Sequence, residues 1–269
     1  MFDPFILRAI MGTFFMSLSV PIMVIMLLRG SLYITPEISH AALGGAALGV
    51  LLQMISPVLV NPFLIVLLFC LITAVLAAYA GRSGPQALGA MLSALLAISV
   101  TIYAVIRSWL PIEKKILVDG YLISDILLLS IIDLLSLAIA SIIAFTITIM
   151  FYREFIYICF DADTAEALGL RVKLYNILLF VTTSIAVAVI VKAVGVLLSV
   201  TLLTLPAAAS RALTRSINIM LLASFIMALL SGLAGIALSY QLNIPTSGAI
   251  ALISTAIFLI THLTRLKRR

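Results

Sequence analysis

Two side chains near the start of the second apolar run, Glu37 and His40, are of the types that bind transition-metal ions. They are three residues apart, so on a helix they lie on the same face. A carboxylate and an imidazole together suit zinc, manganese or iron. A charged group inside a bilayer costs about 2–3 kcal/mol, so in a membrane helix this face should turn toward a cavity, a partner or the interface. The pair predicts an ion contact, with a polar anchor at the interface as the alternative.

Two ligands do not form a metal site by themselves. The chain has only two histidines, and the second, His262, lies near the C-terminus. A self-contained site of several histidines is therefore excluded. The sequence also contains no Walker motif, zinc-protease motif, serine triad or dinucleotide fingerprint. We predict a chain that is not an enzyme and has no permanently bound cofactor.

Two aspartates, Asp125 and Asp133, lie at the start of a later apolar run, in the segment YLISDILLLSIIDLL. Asp133 is a candidate N-cap of the helix that follows. Either carboxylate could line a transport pathway, and a purely structural role is the alternative for both.

The polar segment at about 152–175 contains the signature of a short helix. Asp163 suits an N-cap with Glu166 three residues later, an Asp variant of the capping box. Leu168 ends the helical pattern, and Gly169 suits the C′ position. A helix of one or two turns is not stable alone, so it must dock on something. It either packs on its own spans or is a coupling helix that fits a groove on a cytoplasmic partner.

The elements that carry these residues are indicated by composition. Of 269 residues, 64% are hydrophobic and 10% charged, whereas a soluble domain has about 25% charged residues. The mean hydropathy is +1.33. A soluble fold of this length could not bury so much apolar surface, so the excess must face lipid. We predict an all-α integral membrane protein with one permease domain at 1–269, embedded in the lipid bilayer and without a nucleic-acid partner.

Breaks at glycine, proline and charged residues divide the chain into about nine spans. The second should begin at an N-cap, Thr35, with Pro36 at the first helical position. Only Lys192 to Gly195 separates the sixth span from the short seventh, which could be a half-helix or a re-entrant turn. The spans are predicted at about 5–28, 37–55, 62–80, 87–106, 132–151, 176–192, 195–209, 218–239 and 246–264.

The distribution of lysine and arginine predicts the orientation. With nine spans, one side collects eleven basic residues and the other four. The first group is predicted to be cytoplasmic, which places the C-terminus inside and the N-terminus outside. It comprises Arg29, Arg82, Arg153, Arg171, Lys173, Arg211, Arg215, Arg265, Lys267, Arg268 and Arg269, and the second comprises Arg8, Arg107, Lys114 and Lys115.

Four segments, in this order, resemble the membrane permeases of the ABC-type manganese/zinc/iron importers, and the resemblance covers almost the whole chain. They are SHAALGGAALG, YLISDILLLSIIDLL, FDADTAEALGLRVK and VKAVGVLLSVTLLTLPAAASR. The resemblance implies a multi-pass plasma-membrane protein that forms a homodimer around the pathway. It also implies two cytoplasmic ATPase subunits and an extracellular metal-binding protein that delivers the ion.

The resemblance also implies an ion site. In relatives, an aspartate four residues before the histidine joins that histidine in a proposed site, but here the matching position holds Pro36. Glu37, one residue later, is the candidate replacement. The transported divalent ion could be zinc, manganese or iron. The alternatives are an ABC permease for a metal chelate or cofactor, an ion-coupled secondary carrier and a non-transporting scaffold.

Overall fold

The computed structural model describes residues 4–56 and 60–267, and every regular element in these ranges is helical. The prediction of an all-α membrane protein is confirmed. The α-helices are α1 Pro4–Leu18, α2 Val20–Leu28, α3 Ile34–Ile55, α4 Pro62–Ala80, α5 Pro85–Trp109, α6 Ile112–Asp119, α7 Ile131–Met150, α8 Tyr152–Phe160, α9 Ala162–Ala167, α10 Val172–Leu213, α11 Ile217–Leu242 and α12 Thr246–Lys267.

Within the described residues, eight helical stretches are long and apolar enough to cross a membrane. The first consists of α1 and α2 in series, which meet at Ser19 two residues before Pro21. Proline lacks the N–H that would continue the helical ladder, so a break at this point is expected. The number of nine spans and the orientation stay predictions, and two of the basic residues used for it, Arg268 and Arg269, lie outside the described residues.

The predicted sixth and seventh spans form one helical stretch, α10, that breaks at Gly195. Its 42 residues would extend about 63 Å if straight, whereas a hydrocarbon core is about 30 Å thick. Gly195 has φ 81° and ψ 168°, which is not helical. The N–H groups of Val196 and Leu197 donate instead to the carbonyls of Tyr121 (2.9 Å) and Leu122 (3.4 Å). The chain can therefore change direction where the sequence predicted a boundary.

Helix α10 is the centre of the bundle and packs against α2, α3, α4, α7, α11 and α12. Helix α3 packs closely on α4 and α5 because small residues line its surface. A Cβ on Gly45 would lie 2.8 Å from the Cα of Val66, and one on Gly49 would lie 2.8 Å from the carbonyl oxygen of Pro62. This packing holds the helix that carries Glu37 and His40 firmly in place.

The two long connections contain more structure than the sequence indicated. The connection at 107–131 holds α6 and a 3₁₀ turn at Ile126–Leu128. The segment at 152–175 holds two helices, α8 and α9, of which the sequence predicted only the second. Helix α8 was missed because its apolar residues continue the pattern of the preceding span.

Candidate functional site

The turn before α3 fixes where the candidate ligands lie. Gly30 has φ 76°, and the N–H groups of Gly30 and Ser31 donate to the carbonyls of Leu27 and Met26 at 3.0 and 2.8 Å. These two bonds form a Schellman motif that ends α2. Helix α3 then begins at Ile34, with Glu37 in its first turn.

The predicted N-cap at Thr35 is wrong. The N-cap position is Tyr33, which makes no side-chain capping bond. Thr35 lies within α3, and its buried hydroxyl is 3.4 Å from the Met23 sulfur of α2. Packing against α2 outweighs the capping preference of threonine.

His40 is held in an orientation that suits metal binding. Its Nδ1 lies 2.7 Å from the carbonyl oxygen of Pro36, one helical turn earlier. A carbonyl oxygen only accepts hydrogen bonds, so Nδ1 must carry the proton. In the neutral ring the lone pair is then on Nε2, the arrangement found in histidines that bind a metal through Nε2. Pro36 thus orients the imidazole through its backbone carbonyl.

Glu37 has a carboxylate oxygen without a partner. Its Oε2 atom is buried and accepts no hydrogen bond from any residue in 4–56 or 60–267. The carboxylate is close enough to His40 for the two groups to interact electrostatically. A buried oxygen of this kind is costly unless a cation, a water molecule or another chain satisfies it.

A single chain does not complete a metal site around this pair. The described residues contain no group of three or more His, Cys, Asp or Glu side chains that could hold an ion. An ion bound by Glu37 and His40 would therefore need further ligands from elsewhere.

Buried polar groups connect the opposite face of α3 to its neighbours. The hydroxyls of Ser39 and Ser199 are 3.4 Å apart, and Ser199 lies one turn after the break at Gly195. The thiol of Cys70 on α4 donates to the carbonyl of Ile38 at 3.5 Å. The sequence analysis assigned no role to these residues, and the only available signal was that two of them adjoin Glu37 and His40.

The two aspartates that precede and begin α7, Asp125 and Asp133, have structural partners. Asp125 accepts hydrogen bonds from the N–H of Leu127 (3.0 Å) and of Thr246 (3.4 Å). Asp133 lies 3.0 Å from the Lys192 ammonium group. Neither belongs to a group of potential metal ligands among the described residues.

Asp133 is not the N-cap of α7, contrary to the expectation. Ser130 occupies that position, and its hydroxyl accepts from the N–H of Asp133 while donating to the Asp133 carboxylate at 2.6 Å. The residue lies in the first turn, where a negative charge complements the helix dipole.

The candidate coupling helix, α9, begins two residues earlier than predicted. Its N-cap is Asp161, whose carboxylate accepts from the N–H of Thr164 at 3.0 Å, and Asp163 lies in the first turn. Hydrogen bonding from the Thr164 side chain, and then from its N–H, lowers the pKa of Asp161, so the cap persists at neutral pH. Gly169 has φ 89°, the left-handed conformation expected at C′.

One face of α9 is exposed among the described residues. Asp163, Glu166 and Gly169 are exposed, and Leu168 is 77% exposed, whereas Ala165 is buried against the bundle. The exposed residues of this turn are therefore available for a contact outside the chain.

The apolar helices and their polar connections define a multi-pass protein of the plasma membrane. A family model described as the ABC 3 transport family matches residues 2–265, and the chain belongs to this family.

Known relatives extend over most of the chain. The high-affinity zinc uptake system membrane protein ZnuB of Buchnera aphidicola subsp. Schizaphis graminum is 26% identical over 229 residues, 85% of each chain. The manganese import system permease protein ScaB of Streptococcus gordonii is 27% identical over 248 residues, which cover 90% of this chain and 84% of the relative. Among solved structures, PsaBC from Streptococcus pneumoniae in complex with Fab is similar with a TM-score of 0.78 at 22% identity, covering 96% of this chain and 91% of that one.

Proposed function

We propose that this chain is the membrane-spanning subunit of an ATP-driven importer that moves a divalent transition-metal ion, zinc or manganese, into the cytoplasm. The observation that carries the proposal is the pair on α3. Nε2 of His40 is available to bind an ion, and Oε2 of Glu37 is buried with no partner in residues 4–56 and 60–267. Membership of the ABC 3 transport family and the similarity to ZnuB and ScaB support the same conclusion.

The ion contact is completed by a second copy of the chain. Two-fold symmetry doubles one histidine and one glutamate into a set of two each. Four such ligands suffice for a tetrahedral zinc ion, and water molecules could extend the set toward manganese or iron. A transport site must also release its ion, so incomplete coordination by each subunit is an advantage.

The partners follow from the exposed segments. The surface of α9, with Asp163, Glu166, Leu168 and Gly169, docks on a cytoplasmic ATPase subunit that hydrolyses ATP. An extracellular metal-binding protein delivers the ion to the outer side. The chain is one permease domain, 1–269, with a coupling segment at about 152–175, and it needs no permanently bound cofactor.

The central experiment is uptake of zinc, manganese and iron into liposomes that contain the chain with its ATPase and binding protein. Import of at least one free ion that depends on ATP is expected, and His40→Ala should abolish it. His262→Ala is the matched control because His262 is exposed and stacks only on Phe258 of its own helix. Uptake that is unchanged in His40→Ala would remove the ion site, and uptake of a chelate alone would favour a chelate importer.

Docking is tested at Gly169. A β-branched residue cannot easily adopt a φ of 89°, so Gly169→Val should uncouple ATP hydrolysis from uptake. Gly169→Asn is the control because asparagine tolerates the left-handed conformation. Normal coupling in Gly169→Val would argue against docking through α9.

The orientation is tested by impermeant thiol labelling of intact cells. Asn243→Cys, in the connection before α12, should react from outside, whereas Arg268→Cys should not. Labelling of Arg268→Cys from outside would reverse the orientation. ATP-independent, proton- or sodium-driven uptake by the chain alone would favour the secondary carrier, to which the family membership gives no support.

A further inference from the structure

The cytoplasmic end of α2 and the last turn of α8 are joined by two hydrogen bonds that run in opposite directions. Arg29, the C-cap of α2, donates from Nη1 to the carbonyl of Ile158 at 2.9 Å. Cys159 donates from its thiol to the carbonyl of Ile25 at 3.6 Å. Burial raises the pKa of that thiol to about 11, so it keeps its proton at neutral pH. We call these four residues the α2–α8 clasp.

The clasp lies between the docking helix and the ion ligands. On one side, Asp161 both ends α8 and caps α9, so no flexible spacer separates the clasp from the exposed surface of α9. On the other side, the Schellman turn at Gly30 leads directly from Arg29 into α3. Each step along this route is a helix or a hydrogen-bonded cap, which transmits displacement better than a loose loop.

Cavities flank the Arg29 side chain. One, of about 310 Å³, is lined by Arg29, Ser31, Tyr33 and Cys159 among others. The other, of about 290 Å³, is lined by Arg29, Asp163, Glu166 and Asn176 among others. Apolar packing of Ile25 and Ile158 already joins the two helices. Because the guanidinium itself borders space on both sides, its link to α8 rests on the directional hydrogen bond. A charged donor at the carbonyl end of α8 also makes that bond stronger than a neutral one.

We propose that Arg29 is a positioning residue that transmits movement of the α8–α9 segment to the start of α3, and thereby links ATP hydrolysis to movement of the ion. This proposal rests on the proposed function. It does not require Arg29 to touch the ion. It requires the end of α2 and the end of α8 to move as one body.

The test replaces the Arg29 hydrogen bond with a covalent bridge to Cys159 that can be formed and then reduced. Arg29→Cys removes the guanidinium and places a second thiol near Cys159, with which Arg29 already interacts electrostatically and shares a cavity. In the complex with its ATPase, the reduced variant should hydrolyse ATP at close to the wild-type rate. Its uptake of zinc or manganese per ATP should fall about ten-fold, as expected when one charge-assisted hydrogen bond is lost.

Closing the link should restore coupling. The two thiols are joined by copper phenanthroline or, if their separation is too large for a disulfide, by a short bis-methanethiosulfonate reagent. Mildly alkaline conditions are needed because the thiolate is the reactive form. The bridged protein should regain most of its uptake per ATP, and reduction should remove it again. Arg29→Ser, which cannot be bridged, and wild-type protein treated with the same reagents are the controls.

The outcomes separate the two proposals. Wild-type complex that imports neither zinc nor manganese contradicts the proposed function. Wild-type complex that imports the ion, together with normal uptake per ATP in reduced Arg29→Cys, overturns the clasp. A bridged protein that stays uncoupled overturns it as well, because the lost activity then reflects general damage. Failure of both reagents to bridge the thiols would contradict their proximity and overturn it too.

Discussion

The start of α3 and the region from α6 to the first turn of α7 both contain carboxylates, but the fold treats them in opposite ways. In the second region, Asp119 of α6 is bound by Arg107 and Tyr103, and Asp133 of α7 by Lys192 and Ser130. At the start of α3, Oε2 of Glu37 is buried with no partner among the described residues. A paired carboxylate stabilises the protein, whereas an unpaired one costs stability and is retained where something else binds it.

The largest expected effect separates function from stability at Glu37. Glu37→Gln removes the charge that would bind the ion, so uptake should fall about 100-fold, since loss of even an outer-shell partner costs 10–100-fold in metal affinity. Thermal stability should stay the same or rise, because no hydrogen bond to Oε2 is lost. Liposome uptake and thermal unfolding in detergent measure the two effects. A large loss of stability with normal uptake would show that Glu37 has a structural role and does not bind the ion.

The second prediction concerns the rigidity of the connection at 107–131, which packs against Gly195. A Cβ at Gly195 would lie 2.9 Å from the backbone nitrogen of Ser124, and φ is 81°. Gly195→Ala should therefore destabilise the protein by about 2 kcal/mol. Gly89→Ala is the matched control, because no atom lies within 4 Å of the added methyl group. Equal thermal unfolding temperatures of the two variants would show that the backbone around Ser124 can shift to accommodate the methyl group.

A smaller effect is expected at the ion pair between Asp133 of α7 and Lys192 of α10. Asp133→Asn removes the charge that faces Lys192 at 3.0 Å, where both side chains are 28% exposed. The loss should be about 1 kcal/mol of stability, as for partly solvated pairs, with uptake near the wild-type level. Asp125→Asn should likewise leave uptake intact. Loss of uptake in either variant, with stability unchanged, would move that aspartate into the pathway.

The smallest effect is a pH dependence at α6. The Arg107 guanidinium holds the pKa of Asp119 below its usual range. Stabilisation by this group is therefore fully present above the unfolded pKa of about 4 and is lost as the pH falls through the lower, folded pKa. The only tryptophan, Trp109, adjoins α6, so its fluorescence in detergent reports this change.

The fluorescence should stay constant from neutral pH down to about 4 and change below it. Asp119→Asn should show the altered signal already at neutral pH, without a transition. A wild-type transition centred at the unfolded pKa of about 4, or above it, would mean that Arg107 does not lower the pKa of Asp119.

Much of the fold could be predicted because hydrophobicity is a local property. The spans began and ended within a few residues of the observed helices, and the boundary near Gly195 was placed at the observed break. The capping residues were less successful. Thr35, Asp133 and Asp163 were expected as N-caps, but Tyr33, Ser130 and Asp161 occupy those positions. Several polar residues compete for each cap, and packing of the flanking chain decides between them.

The sequence by itself determined that the chain crosses a membrane, and that Glu37 and His40 share a helix face, because apolar content and the helical repeat need no distant residue. It could not determine which carboxylates are paired. The partners of Asp133 and of Arg29 lie far along the chain, and the Arg29 guanidinium meets a carbonyl 129 residues away. The packing of α7 against α10 brings Asp133 to Lys192, and the packing of α2 against α8 brings Arg29 to Ile158. The tertiary structure therefore decided that Oε2 of Glu37 has no partner among the described residues and that hydrogen bonds join α2 to α8. Both outcomes depend on which groups the rest of the bundle places beside these residues.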